Sequence, residues 1–162
     1  MGRRRYFLTI CIAHCTHAFR EDPVAERALM QLRQLAVDHG FAIHAYCFMP
    51  HHVHLVLEGL QDWSDLRRFV RDWKQRTAFE YRETNGGDLW HRGYFDHVLR
   101  SDDDTDIVAR YVLTNPVKAG LVADIHQYRY AGSDTSTIED VLLRAAEADQ
   151  RRPCGARPDY RR

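Results

Sequence analysis

Tyr6 to Ala13 is a run of aromatic and aliphatic side chains broken by Thr9 and Cys11, and it predicts a first strand. Asp22-Pro23 supplies a cap and a first-turn proline. From Val24 onward Ala25, Leu29, Leu32, Leu35 and Ala36 recur at helical spacing until Gly40 ends the helix. Phe41 to Met49 predicts a second strand, Pro50-His51 a tight turn, and His52 to Glu58 a third strand stopped by Gly59. An amphipathic helix follows, from about Ser64 to Glu83, with Leu66, Phe69, Val70, Trp73, Thr77 and Tyr81 on one stripe. Tyr94 to Leu99 reads as a fourth strand. Ser101-Asp102 caps a helix reaching Thr114, with acidic residues in its first turn where the helix dipole favours them. Ile138 to Ala148 is a last short helix.

The order β-α-β-β-α-β with added helices predicts an α+β, ferredoxin-like fold, an antiparallel sheet with helices on one face. At 162 residues the chain has the length of one domain. We assign residues 1–149 to it and read the Arg- and Pro-rich residues 150–162 as a basic, disordered tail.

Composition narrows the choice of chemistry. Hydrophobic residues make up 44% and charged residues 28%, which excludes a wholly disordered chain. No run approaches the 18 or so apolar residues of a membrane span. The basic start leads into a short alternating strand and not into a cleavable leader, so a cytoplasmic location is expected, and four cysteines without a disulfide framework agree with it. Twenty-three basic residues balance twenty-three acidic ones, yet they are segregated. Arg67, Arg68, Arg71, Lys74 and Arg76 crowd one helix, leaving room for a basic groove able to neutralise phosphates on a neutral protein, or for no more than a solvated face. Trp63 and Trp73 beside them are candidates for stacking on unpaired bases, although Trp73 also falls on the apolar stripe. Cys11, Cys15 and His17 have no second pair at zinc-finger spacing.

Side chains alternate along the third strand. Val53, Leu55 and Leu57 share one face, and His52, His54, Val56 and Glu58 share the other. Two imidazoles two residues apart can converge on one divalent cation. In the last third of the chain, Tyr111 and Asn115 lie four apart and project from one helix face. Pro116 places Asn115 at the helix end, with its carboxamide free to turn. A phenol ionises near pH 10 and is a poor nucleophile at neutral pH. A metal that withdraws charge from a phosphoryl oxygen makes its attack feasible. Two histidines and an oxygen ligand suit Mg²⁺ or Mn²⁺ in use, and affinity alone does not exclude Zn²⁺ or Co²⁺.

Tyr46-Cys-Phe-Met-Pro-His-His52-Val53-His54-Leu-Val-Leu resembles the His-hydrophobic-His motif of the single-strand-specific tyrosine transposases, the HUH family. Leu89-Trp90-His-Arg-Gly-Tyr-Phe-Asp-His-Val-Leu-Arg100 and Tyr111-Val-Leu-Thr-Asn115-Pro116-Val-Lys-Ala-Gly-Leu-Val122 resemble its branch associated with repetitive extragenic palindromes (REP). The resemblance spans residues 5 to 132. It implies a catalytic domain with His52 and His54 holding the metal, Tyr111 as nucleophile and Asn115 as an amide ligand. It implies nicking and joining of single-stranded or hairpin DNA through a 5′-phosphotyrosine, by a monomer or a homodimer. His51 stands where relatives often carry Asn or Asp. Two alternatives stay open: a non-catalytic nucleic-acid-binding protein of the same fold, and a hydrolase in which Glu58 activates water.

Overall fold

In the computed structural model, residues 2–15, 17–20, 22–100 and 102–151 are described. Three of the strands, β1 (Arg5–Cys11), β2 (Phe41–Met49) and β3 (His52–Gly59), form the centre of an antiparallel sheet. With β4 (Phe95–Leu99) and a two-residue β5 (Ala131–Gly132) the order is β4-β1-β3-β2-β5. The first four positions are the ferredoxin-like arrangement expected from the β-α-β-β-α-β order.

The two crossover helices, α1 (Asp22–Asp38) and α2 (Leu66–Asn85), pack on the same sheet face. Their apolar stripes meet Leu8 and Ile10 of β1, Val53, Leu55 and Leu57 of β3, and Phe48 of β2 in one core. Trp73 lies at the middle of it, fully buried, and its indole N–H donates to the Ala28 carbonyl at 3.0 Å. That bond removes the cost of burying the indole nitrogen and excludes Trp73 as a surface for DNA bases.

The opposite face carries α3 (Asp102–Leu113), the short α4 (Asn115–Lys118) and α5 (Ile138–Arg151). Ile107, Val108, Val112 and Leu113 of α3 and Val141 of α5 form a second core with Phe7, Ala45 and Val56 from the sheet. The helix bearing Tyr111 therefore lies near the histidine strand, as expected. Helices thus occupy both faces of the sheet and not one: α3 lies on the histidine face, and α5 packs against α3.

Several boundaries move for local reasons. β1 stops at Cys11, two residues before the expected end, because Ala13–Cys15 turns and His14 takes a positive φ of 55°. The cap of α2 is Asp65, whose carboxylate accepts from the backbone N–H groups of Arg67 and Arg68. Ser64, the expected start, instead donates its hydroxyl to the Gly40 carbonyl at 2.8 Å. Gly59 ends β3 where the backbone of Gly2 crosses so closely that a Cβ would lie 2.4 Å from its carbonyl oxygen. α5 runs three residues past Ala148 to Arg151, so Gln150 and Arg151, expected in the disordered tail, are helical instead. The expected cap at Ser101 and the tail from residue 152 lie outside the described residues. No helix among the described residues is long and apolar enough to cross a membrane.

Candidate active site

β-sheet register builds the site. Thr9 of β1 is the partner of His54 of β3, and Cys11 is the partner of His52. Partners in an antiparallel pair point to the same face, so Thr9 and both histidines stand together at one end of the α3-covered face. His54 is 6% exposed and His52 is partly covered.

The Nε2 atoms of His52 and His54 face each other at 2.9 Å. Two cis nitrogen ligands about 2.1 Å from one ion at a right angle are separated by ~3.0 Å, so this spacing fits a shared cation. Thr9 Oγ1 lies 2.9 Å from the other ring nitrogen of His54, Nδ1. An imidazole that donates from Nδ1 to such a hydroxyl leaves the Nε2 lone pair outward, as outer partners of metal-binding histidines do. Charge state points the same way. Burial, with the neighbouring His51 second, holds His52 down to about 4, and burial, with His52 second, holds His54 down to about 3. Both rings are neutral at physiological pH and can donate lone pairs.

Tyr111 comes to this pair from α3. Its ring centroid is 5.8 Å from that of His54 and 6.1 Å from that of Phe7. Phe7 in turn stacks on His54 at 5.5 Å, so phenol, phenyl and imidazole form one packed triangle. The Lys118 ammonium lies over the Tyr111 ring, 5.0 Å from its centroid. Thr114 keeps a right-handed helical conformation between α3 and α4, with Pro116 in the first turn of α4. Lys118, seven residues after Tyr111, therefore stands two turns along the same side of the helical path.

Asn115 opens α4, and its carboxamide N–H donates to the Tyr111 carbonyl at 3.0 Å. The free-turning amide expected from sequence is thus held, with its oxygen as the atom able to ligate. Among the described residues, no group of three or more His, Cys, Asp or Glu side chains could hold a metal ion. The two imidazoles are thus the only nitrogen pair of this end of the face shown in contact among the described residues.

Other expectations fall elsewhere. Glu58 sits at the far end of the same face, bound by His44 Nε2 at 2.6 Å and Arg5 at 3.2 Å. Its hydrogen bonds to these partners pull the carboxyl below its usual range even though burial acts against them. A carboxylate so engaged is no base for water beside the histidines. The cluster Arg67, Arg68, Arg71, Lys74 and Arg76 rides on α2, on the other side of the sheet from Tyr111. Arg68 and Arg71 approach Asp72. The Lys74 ammonium is spent on the carbonyls of His91, Arg92 and Gly93 at 2.8, 3.1 and 3.4 Å. Arg67 and Arg76 project to solvent, and Trp63 is exposed in a groove with Arg68, Arg76 and four aspartates. Sequence reading missed Phe7, Thr9 and Lys118. The pairing of β1 with β3 identifies the first two, and the seven-residue spacing from Tyr111 along the helical path accounts for the third.

The family model of IS200-like transposases matches residues 4–115, from β1 through Asn115. A Haemophilus influenzae protein that carries the name REP-associated tyrosine transposase is 26% identical over 141 residues, covering 78% of this chain and 77% of its own. Among solved structures, a REP-associated tyrosine transposase bound to a REP hairpin superposes with a TM-score of 0.70 at 18% identity, over 81% of this chain and 77% of that one. A transposase-like protein of Deinococcus radiodurans gives 0.52 at 23% identity, over 69% and 90%. The structural likenesses concern the fold. The family match covers more than half of the chain, including the histidine strand and the tyrosine helix, and the chain belongs to the IS200-like transposases.

Proposed function

We propose that this transposase nicks and rejoins single-stranded DNA through a covalent bond between Tyr111 and a 5′ phosphate, with a divalent ion, Mg²⁺ or Mn²⁺, held by His52, His54 and the Asn115 carboxamide. The observation that carries the proposal is the packed set of Tyr111, His54 and Phe7, with His52 Nε2 2.9 Å from His54 Nε2.

Each group has a task. Thr9 orients His54, and burial keeps both imidazoles unprotonated and able to ligate. When bound, the ion supplies charge withdrawal at the phosphoryl oxygen and an anchor for the scissile phosphate. Phe7 and Lys118 hold the Tyr111 ring from its edge and its face. The Tyr111 oxygen attacks phosphorus, and the bond from phosphorus to the 3′ oxygen breaks. The phenol gives up a proton and the departing 3′ oxygen gains one, so the step is proton-neutral. The 5′ phosphate stays on tyrosine, and attack by a DNA hydroxyl reverses the chemistry without an outside energy source. Hairpin DNA is the substrate class we assign, supported by the similar fold of the protein solved on a REP hairpin.

The test is covalent capture. The protein is incubated with hairpin oligonucleotides carrying unpaired flanks, in Mn²⁺, and run on a denaturing gel. A protease-sensitive shifted band is expected for the natural chain, no band for Tyr111→Phe, and near-natural DNA binding for both. An undiminished band from Tyr111→Phe removes its assigned role. Equal binding without any band from either protein favours a non-catalytic DNA-binding protein.

A further inference from the structure

Phe95 opens β4 at the edge of the sheet and is 40% exposed, an uncommon state for a phenyl group on a strand. Its register partner is Thr9, whose own partner is His54. The three residues therefore stand in one row across the sheet and on one face. Neighbouring strands lie about 4.8 Å apart, so Phe95 is ~10 Å from the histidine strand. Its ring meets Phe7 edge-on at 6.4 Å, and Phe7 touches both His54 and Tyr111. The exposed ring is thus the outer end of an aromatic row that begins at the nucleophile.

Two exposed charges flank it along the chain, Arg92 in the preceding loop and Asp96 next in β4. Asp96 is the register partner of Leu8, so strand alternation turns it to the α1/α2 face, away from the Phe95 row. The loop is also fixed in place. Lys74 binds its three carbonyls, and the His91 N–H donates at 2.9 Å to the carbonyl of Cys11, the partner of His52. Lys74 thereby serves the site at a distance, holding the loop that presents Arg92.

We infer that Phe95 is a stacking platform for one unpaired DNA base next to the scissile phosphate, with Arg92 on the phosphate beside it. This deepens the nicking and joining reading and rests on it. A flat π-face binds any base and strengthens single-strand contacts that phosphate pairing alone leaves loose. An aromatic platform in line with the nucleophile also explains a choice of unpaired over paired DNA, because a base inside a duplex offers no free face to an edge strand.

The experiment is an abasic scan. Fluorescently labelled hairpin oligonucleotides, each with a single abasic site at one position of the unpaired flank, are titrated against the natural chain and Phe95→Leu. Leucine keeps the apolar contact with Phe7 and removes the π-face. For the natural chain, one abasic position is expected to weaken binding about 5- to 150-fold. For Phe95→Leu, the intact DNA is expected to bind with that same loss, and the abasic DNA no more weakly still. Phe95→Trp is expected to keep the affinity and to change fluorescence on binding. Binding of intact DNA by Phe95→Leu as tight as by the natural chain overturns the platform, as does an abasic penalty undiminished in that variant. Failure of the parent reading looks different: the natural chain then forms no tyrosine adduct, whatever residue stands at position 95.

Discussion

The two faces of this sheet are built from alternate residues of the same strands, and they are put to different use. Under α1 and α2, Leu8, Ile10, Val53, Leu55 and Leu57 meet Phe69, Trp73 and Trp90 in one core. Both indoles there are satisfied from within, Trp73 by the Ala28 carbonyl and Trp90 by the Thr77 hydroxyl. Under α3 and α5 the neighbouring positions split along the strand. Phe7, Val56 and Ala45 continue as core, whereas Thr9, His52 and His54 form a polar end beside Tyr111. Trp73 has a role complete within the fold. His52 and His54 instead face each other at 2.9 Å, and burial keeps both rings neutral; the proposed function has a cation complete that pair. One face holds the strands together, and the other uses that rigidity to hold the histidine pair and Tyr111 in place.

The contrast can be broken experimentally, and the largest effect belongs to the packed face. Trp73→Ala leaves a large void at the centre of the core, and we expect it to cost about 3–5 kcal/mol, measured by urea unfolding. A much smaller loss would mean that the core face is not the structural one.

Next comes acid. The folded values of His52 and His54, about 4 and about 3, lie below the ~6.5 of an unfolded histidine. Between these limits the unfolded chain binds protons that the fold refuses, so stability rises with pH. Their contribution is fully kept above ~6.5 and is lost as pH falls toward 4. In metal-free protein, melting temperature is expected to fall across that window, and less steeply in the double variant His52→Gln, His54→Gln. Parallel curves would show that the site face does not hold these rings neutral.

The smallest effect is the most local. Thr9→Val keeps the strand and removes the oxygen from His54, and we expect Mn²⁺ affinity to drop about 10- to 100-fold with little change in unfolding free energy. Thr9→Ser is expected to restore most of it. Calorimetric titration of Mn²⁺ reads the difference, and equal affinity in the natural and valine proteins would leave Thr9 a packing residue.

Much of this was legible along the chain, and the limit was physical. Alternation separated Val53, Leu55 and Leu57 from His52 and His54, because strand period alone decides which face a residue takes. Helical spacing placed the buried stripe of α2, and with it Trp73. What the pattern could not supply was register between distant strands, so Thr9 and Phe7, which act across β1 and β3, were invisible. It likewise could not tell a free cation from an engaged one. Lys74 reads as part of a basic cluster, yet it is held by three carbonyls of a loop 17 to 19 residues later. Asn115 was placed correctly at a helix end, and the bond from its amide to the Tyr111 carbonyl emerges only from the short helix that follows.

The central claim is that a tyrosine of α3 and two histidines of β3 work as one centre. Its most direct test is to digest the captured protein–DNA adduct with protease and nuclease and to locate the phosphate by mass spectrometry. We predict a nucleotide linked through its 5′ phosphate to the peptide containing Tyr111, formed only with a divalent ion present. A linkage to any other residue, or a cut strand with no peptide attached, would contradict the account.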